Sequence, residues 1–254
     1  MNNLFFLNLF VLFCFFSLIG FLIFIAGGRN SFSNFEWDWE FTFNEVLPRL
    51  IKYIPITIEA TLLGFLIAVI LGLFLAIGRI SKNTLISKPV TEIVEFIRGT
   101  PLLVQIFFLF FILPDYGIVM PAFLTGVLAL GIHYSTYCSE VYRAGLENIP
   151  RGQWEASIAL NLSPFRTFKD LIIPQAIPPI IPPLGNYLIA MFKDTPLLSF
   201  IAVVEIMQEA KIIGSEWYVF REPMTVVGIF FLLMSLVAAF GVRRIENWLE
   251  LRKH

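Results

Sequence analysis

The chain has 254 residues, of which 57% are hydrophobic and 15% charged, with a mean hydropathy of +0.80. A soluble domain carries roughly 25% charged residues, so the composition excludes one and indicates an integral membrane protein. The formal net charge of −1 gives no ground for a nucleic-acid partner, and none is expected.

A helix needs about 20 predominantly apolar residues to cross the hydrocarbon of a bilayer. Six stretches qualify or nearly qualify: 4–26, 58–77, the shorter 99–114, 118–138, 175–192 and 224–242. None alternates apolar and polar residues as a membrane β-barrel strand does, so the expected fold is an all-α integral membrane bundle of about six transmembrane helices. Placing the N-terminus inside leaves the inner segments around Arg79–Arg98, Arg143–Lys169 and Arg243–Lys253 with twice the Lys and Arg of the outer ones. That bias puts both termini in the cytoplasm.

Residues 4–26 read as a retained helix rather than a cleaved signal peptide, because the leading Met-Asn-Asn carries no positive charge and the apolar run is long. Residues 27–53 then form an outside segment whose Phe35, Trp37, Trp39 and Phe41 suit the membrane–water interface. The second stretch places Gly64, Gly72, Ala76 and Gly78 where small residues let backbones approach, within the chain or across a dimer. Before the third, Thr100 is a suitable N-cap and Pro101 a suitable first helical residue, with Gln105 one turn in, either bonding another helix or lining a polar path. Pro174, Pro178, Pro179, Pro182 and Pro183 crowd the start of the fifth stretch and predict an irregular or kinked helix there. Beyond it, Glu205 and Glu209 share a face in a segment that dips into the membrane or lies on its outer surface. Cys14 and Cys138 both fall inside predicted spans and read as packing residues, not as a disulfide or a metal pair.

The polar connection 143–174 is organised. Pro150 opens a short helix to Leu160, on which Arg151 pairs with Glu155 and Trp154 with Ile158 makes an apolar face. Asn161 suits the left-handed residue that ends a helix, and Ser163 with Pro164 starts the next. Such a helix–turn–helix is either a docking element for a partner's groove or an ordinary surface connector.

This connection resembles the "EAA" loop of the permeases of ABC importers. Glu155 and Ala156 match; Ser157 replaces Ala, Asn161 replaces Gly, Leu171 and Ile173 stand for Ile and Leu, and Pro174 matches. The runs Arg98–Gln105, Glu140–Gly145, Gly152–Ala156, Pro174–Ala176 and Lys193–Thr195 are similar, in order, to the polar amino-acid branch of that family. The resemblance implies a five-helix permease core over 54–250 behind an extra N-terminal helix in 1–53, set in the inner membrane of a prokaryote. It implies a separate cytoplasmic ATPase dimer, an extracytoplasmic or lipid-anchored binding protein and a second permease chain, the same or related. The loop helix would be the coupling helix, with Gln153, Trp154, Glu155, Ala156, Ile158 and Asn161 meeting the ATPase. No Gly-Lys-Ser or Gly-Lys-Thr phosphate loop occurs, so ATP is expected on the partner, and no cofactor, metal or catalytic residue is expected in this chain.

The function so implied is import of a polar or charged amino acid by alternating access, with a compatible solute such as ectoine as the variant. Intramembrane polar groups are pathway candidates by default. Here they are Gln105, His133, Glu140 and Asn186, each of which could equally be a structural hydrogen-bonder. An ATP-independent secondary transporter is the competing class, disfavoured by the lack of an internal repeat and the scarcity of intramembrane acids.

Overall fold

The computed structural model describes residue 17 and residues 36–251. The expected first span, 4–26, lies outside the described residues except for residue 17, as do Cys14 and Phe35. The chain divides into two compact units, Met1–Glu40 and Phe41–His254. Among the described residues there is no strand.

Helix α1 runs Trp39–Ile80, with a π-helical stretch at Thr42–Val46. It starts well before residue 58, so residues 39–53 are helical and not only an interfacial segment. The reason is tertiary: Val46 and Leu50 are fully buried in a cluster with Ile206, Ile213 and Val227 from much later in the chain. Helix α2, Thr84–Gly99, occupies what the sequence presented as a connecting loop. Asn83 caps it by accepting from Leu85 N at 3.0 Å. Val94 is buried while Lys88, Glu92, Glu95 and Arg98 stay exposed, so the charges hide an amphipathic helix.

A bend of 103° leads into α3, Leu102–Tyr116. Here the expected capping is corrected. Pro101 occupies the N-cap position and Leu102 begins the helix. Thr100 is forced into extended backbone by the proline after it (φ −107°, ψ 140°). Its hydroxyl instead donates back to Phe96 O and Ile97 O, closing the end of α2. Gly117, at φ 82°, ends α3.

Helix α4, Ala122–Glu147, packs most extensively on α1. Gly64, Ala68, Gly72 and Ala76 recur every four residues on α1 and are all buried. A Cβ on Gly72 would stand 2.7 Å from Cys138 Cβ, and one on Gly131 2.6 Å from Ile67 Cγ2. The small-residue seam therefore joins two helices of one chain, and buried Cys138 is a packing residue in it.

After the short α5, Arg151–Ala159, comes α6, Pro164–Ile201, whose last part, Thr195–Ile201, is 3₁₀. The proline expectation is corrected: Pro178, Pro179, Pro182 and Pro183 all sit inside the regular helix Ile173–Asp194, and the irregularity is a π-helical stretch one step earlier, Thr167–Ile172. Prolines at this spacing leave the carbonyls of residues 174, 175, 178 and 179 without their helical donors on one side only, and the opposite ladder holds the helix.

Ala202, left-handed at φ 59°, breaks the chain into α7, Ile206–Trp217, bent 49° from α6. Glu205 and Glu209 are both buried, Glu205 as the N-cap of α7 and Glu209 in its first turn. Glu205 caps α7 by accepting from Gln208 N at 3.0 Å, and Glu209 accepts from Arg49 Nε of α1 at 2.6 Å. Helix α8 is Arg221–Leu251. Among the described residues, helices α1 and α8 are long and apolar enough to cross a bilayer unbroken, and counting the bent pairs α2–α3 and α6–α7 gives up to four such spans.

Candidate functional site

The connection 143–174 folds by local rules. Pro150 takes the N-cap position and α5 runs Arg151–Ala159. The helix ends in a Schellman motif: Leu162 N donates to Ser157 O and Asn161 N to Ile158 O, with Asn161 left-handed at φ 51°. Ser163 then caps the start of α6, accepting from Arg166 N at 3.4 Å, with Pro164 in the first turn.

The surface that this places outward differs from the expected one. Glu155, Ala156 and Asn161 are exposed, and Ile158 and Leu160 are 77% and 71% exposed. Phe165, just past the turn and 72% exposed, extends the apolar patch and was missed because it lies outside the helix. Trp154 is corrected: it turns inward, its ring 5.4 Å from that of Phe168, beside the buried Ile149 and Ile172. Gln153 also faces its own chain, accepting from Gln175 Nε2 at 3.2 Å. Ser157, in place of the motif's alanine, is buried and satisfies its hydroxyl on Trp154 O. Arg151 and Glu155 form no ion pair in the structure.

A second polar assembly lies within the helix bundle. Gln105 Nε2 donates to Ile97 O at 2.7 Å and to Thr100 O at 3.1 Å, stapling the α2–α3 bend. That fixes the amide orientation, so Oε1 meets His133 Nδ1 of α4 at 3.2 Å. Gln105 is thus a helix–helix bond, and His133 is its partner. Beside them Tyr134 Oη donates to Asp194 Oδ2 at 2.6 Å. The rings of Tyr134, Tyr137 and Tyr187 stand 5.4–6.2 Å apart, and the Arg98 guanidinium lies 5.3 Å over Tyr137. Gln105 and His133 are the two members of this cluster expected from the sequence; Tyr134, Tyr137, Tyr187, Asp194 and Arg98 join them only in the fold. The Arg98 and Lys193–Thr195 runs were the available signals.

The other two candidates lie elsewhere. Glu140 accepts from Arg79 Nη1 at 2.8 Å and is bridged to Arg143, so its carboxylate ties α4 to the end of α1. Asn186 is exposed on α6, outside these contacts.

Residues 68–251 match the family model described as the binding-protein-dependent transport system inner membrane component. A probable amino-acid ABC transporter permease of Sinorhizobium fredii is 45% identical over 84% of this chain and 94% of its own length. An L-cystine transport system permease of Bacillus subtilis is 34% identical over 83% of this chain and 92% of its own. Among solved structures, an amino acid ABC transporter crystallised with histidines superposes with a TM-score of 0.78 at 33% identity, over 84% of this chain and 99% of that one. With the outward-facing loop helix, the bent pairs and the small-residue seam, this establishes that the chain belongs to the family of inner-membrane permease components of binding-protein-dependent ABC transporters.

Proposed function

We propose that this chain is the permease of an ATP-driven importer for a polar amino acid. The observation that carries the reading is α5: a nine-residue helix, closed at its C-terminal end by the Asn161 turn, that leaves Glu155, Ile158 and Leu160 exposed between two long helices. An exposed apolar pair flanking a carboxylate fits a groove on another protein, here a cytoplasmic ATPase. The Lys and Arg bias puts that helix and both termini on the cytoplasmic side. An extracytoplasmic binding protein and a second permease complete the machine, and the ATP belongs to the partner.

The substrate path runs past the cluster of Arg98, His133, Tyr134, Tyr187 and Asp194. It offers a carboxylate, a guanidinium and aromatic faces at one level of the bundle, matching the opposite charges of a zwitterion. Gln105 shapes this cluster through the α2–α3 bend, and Glu140 holds the helix end below it. The relatives' names, two of which specify amino acids and one L-cystine, support an amino acid over a compatible solute.

The test is purification of the tagged chain in mild detergent from its host, with identification of every protein that accompanies it. Recovery of an ATPase and an extracytoplasmic binding protein is expected. Recovery of the chain alone would contradict the reading.

A further inference from the structure

Two side chains at the start of α5 point back into their own protein. Trp154 packs edge-on against Phe168, at an interplanar angle of 76°. Gln153 accepts from Gln175, whose Nε2 also donates to Leu171 O at 2.9 Å. Both contacts land on the first turns of α6, spanning the π-helical stretch Thr167–Ile172. π-Helical turns are rare and recur at functional points of helices. Beyond these contacts, α5 is joined to α6 by the turn Leu160–Ser163 and, at its other end, by Ile149, which packs with Ile172 of α6. With them, α5 and the base of α6 form one body, and the other end of the same helix carries Asp194, which holds Tyr134 of α4.

We propose that Trp154, with Gln153, is the joint that passes displacement of α5 into α6, and that neither side chain meets the ATPase. The proposal rests on the coupling role of α5 given above. It divides the helix into two sets of residues: Glu155, Ile158 and Leu160 receive the movement, while Gln153 and Trp154 hand it on. Trp154 is therefore a positioning residue whose loss uncouples the partner without releasing it.

The test compares Trp154→Ala, Phe168→Ala and the double variant in the purified complex, reading retained ATPase and solute moved per ATP. Each single variant is expected to keep the ATPase and basal hydrolysis. Transport per ATP should fall by up to about tenfold, the factor set by losing a strong aromatic pair. The double variant should be no worse than either single one, since both remove the same contact, and Trp154→Phe should restore most of the ratio. Ile158→Asp should instead lose the ATPase.

Loss of the ATPase from Trp154→Ala would overturn the proposal, as would an unchanged ratio. A wild-type chain that holds no ATPase would instead refute the coupling role itself. A tether avoids dependence on weakened folds: Gln153→Cys with Gln175→Cys, bridged by a short bis-methanethiosulfonate reagent, in a background of Cys14→Ala and Cys138→Ala. Transport that survives the bridge supports a fixed joint. Transport blocked by the bridge and restored by a thiol reductant would overturn it.

Discussion

Glu155 is exposed with no ion pair to Arg151, so its carboxylate is available to a partner. Glu155→Lys is expected to abolish substrate-stimulated ATP hydrolysis while the purified chain elutes and melts like wild type. Unchanged transport would remove Glu155 from the coupling surface. Asn161 offers a second local test. Its φ of 51° costs a β-branched residue roughly 1–2 kcal/mol, whereas glycine is at ease there. Asn161→Val should lower the thermal midpoint in detergent and impair stimulated hydrolysis, and Asn161→Gly should do neither. In the bundle, Tyr134→Phe strips Asp194 of its hydroxyl donor, at a cost of about 1–3 kcal/mol. Uptake should fall while the ATPase stays bound. The turn after α5 was legible in the sequence because its constraints act within three positions: Asn161, Ser163 and Pro164 each set the local backbone, whereas Pro150, expected as the first helical residue, stands one place earlier as the N-cap. The direction of Trp154 was not legible, because Phe168, which fixes it, lies beyond the turn. Nor was the Tyr134–Asp194 bond, whose partners are 60 residues apart.

Among the elements, the α1–α4 seam is the least tolerant of added volume. A Cβ at Gly72 would meet not only Cys138 Cβ but Ser135 O at 2.8 Å, and backbone cannot swing aside. Gly72→Ala is therefore expected to destabilise the chain by about 1–3 kcal/mol, read as a lower melting midpoint. Gly152, on the exposed side of α5 with nothing within 4 Å of a built Cβ, is the contrast: Gly152→Ala should gain about 0.5–1 kcal/mol of helix stability. The small-residue spacing made this seam readable, although not whether it lay within the chain or between chains. Helix α2 was unreadable as part of the bundle. Its charged face lowers the apparent hydropathy, and only burial of Val94 reveals the other side. The proline-rich helix was misjudged for a related reason. Each proline alone predicts a break, but the pairs at four-residue spacing concentrate the lost bonds on one side.

At the scale of the molecule, the described core is held in three places: α1 against α3, α4 and α6, the first turns of α1 against α7 and α8, and the end of α4 against the base of α6. Ion pairs reinforce the second and the α1–α4 contact, with Arg49 reaching Glu209 and Glu216, and Glu140 reaching Arg79 and Arg143. Between these anchors the chain bends at Thr100 and at Ala202, and a drive applied at α5 would enter at the third anchor. The most direct test of this account is uptake of a labelled amino acid by vesicles reconstituted with the purified complex and its binding protein, with ATP supplied or withheld on the α5 side. The account predicts uptake only with ATP, abolished by Glu155→Lys. Uptake of equal rate without ATP, driven by an ion gradient, would contradict it.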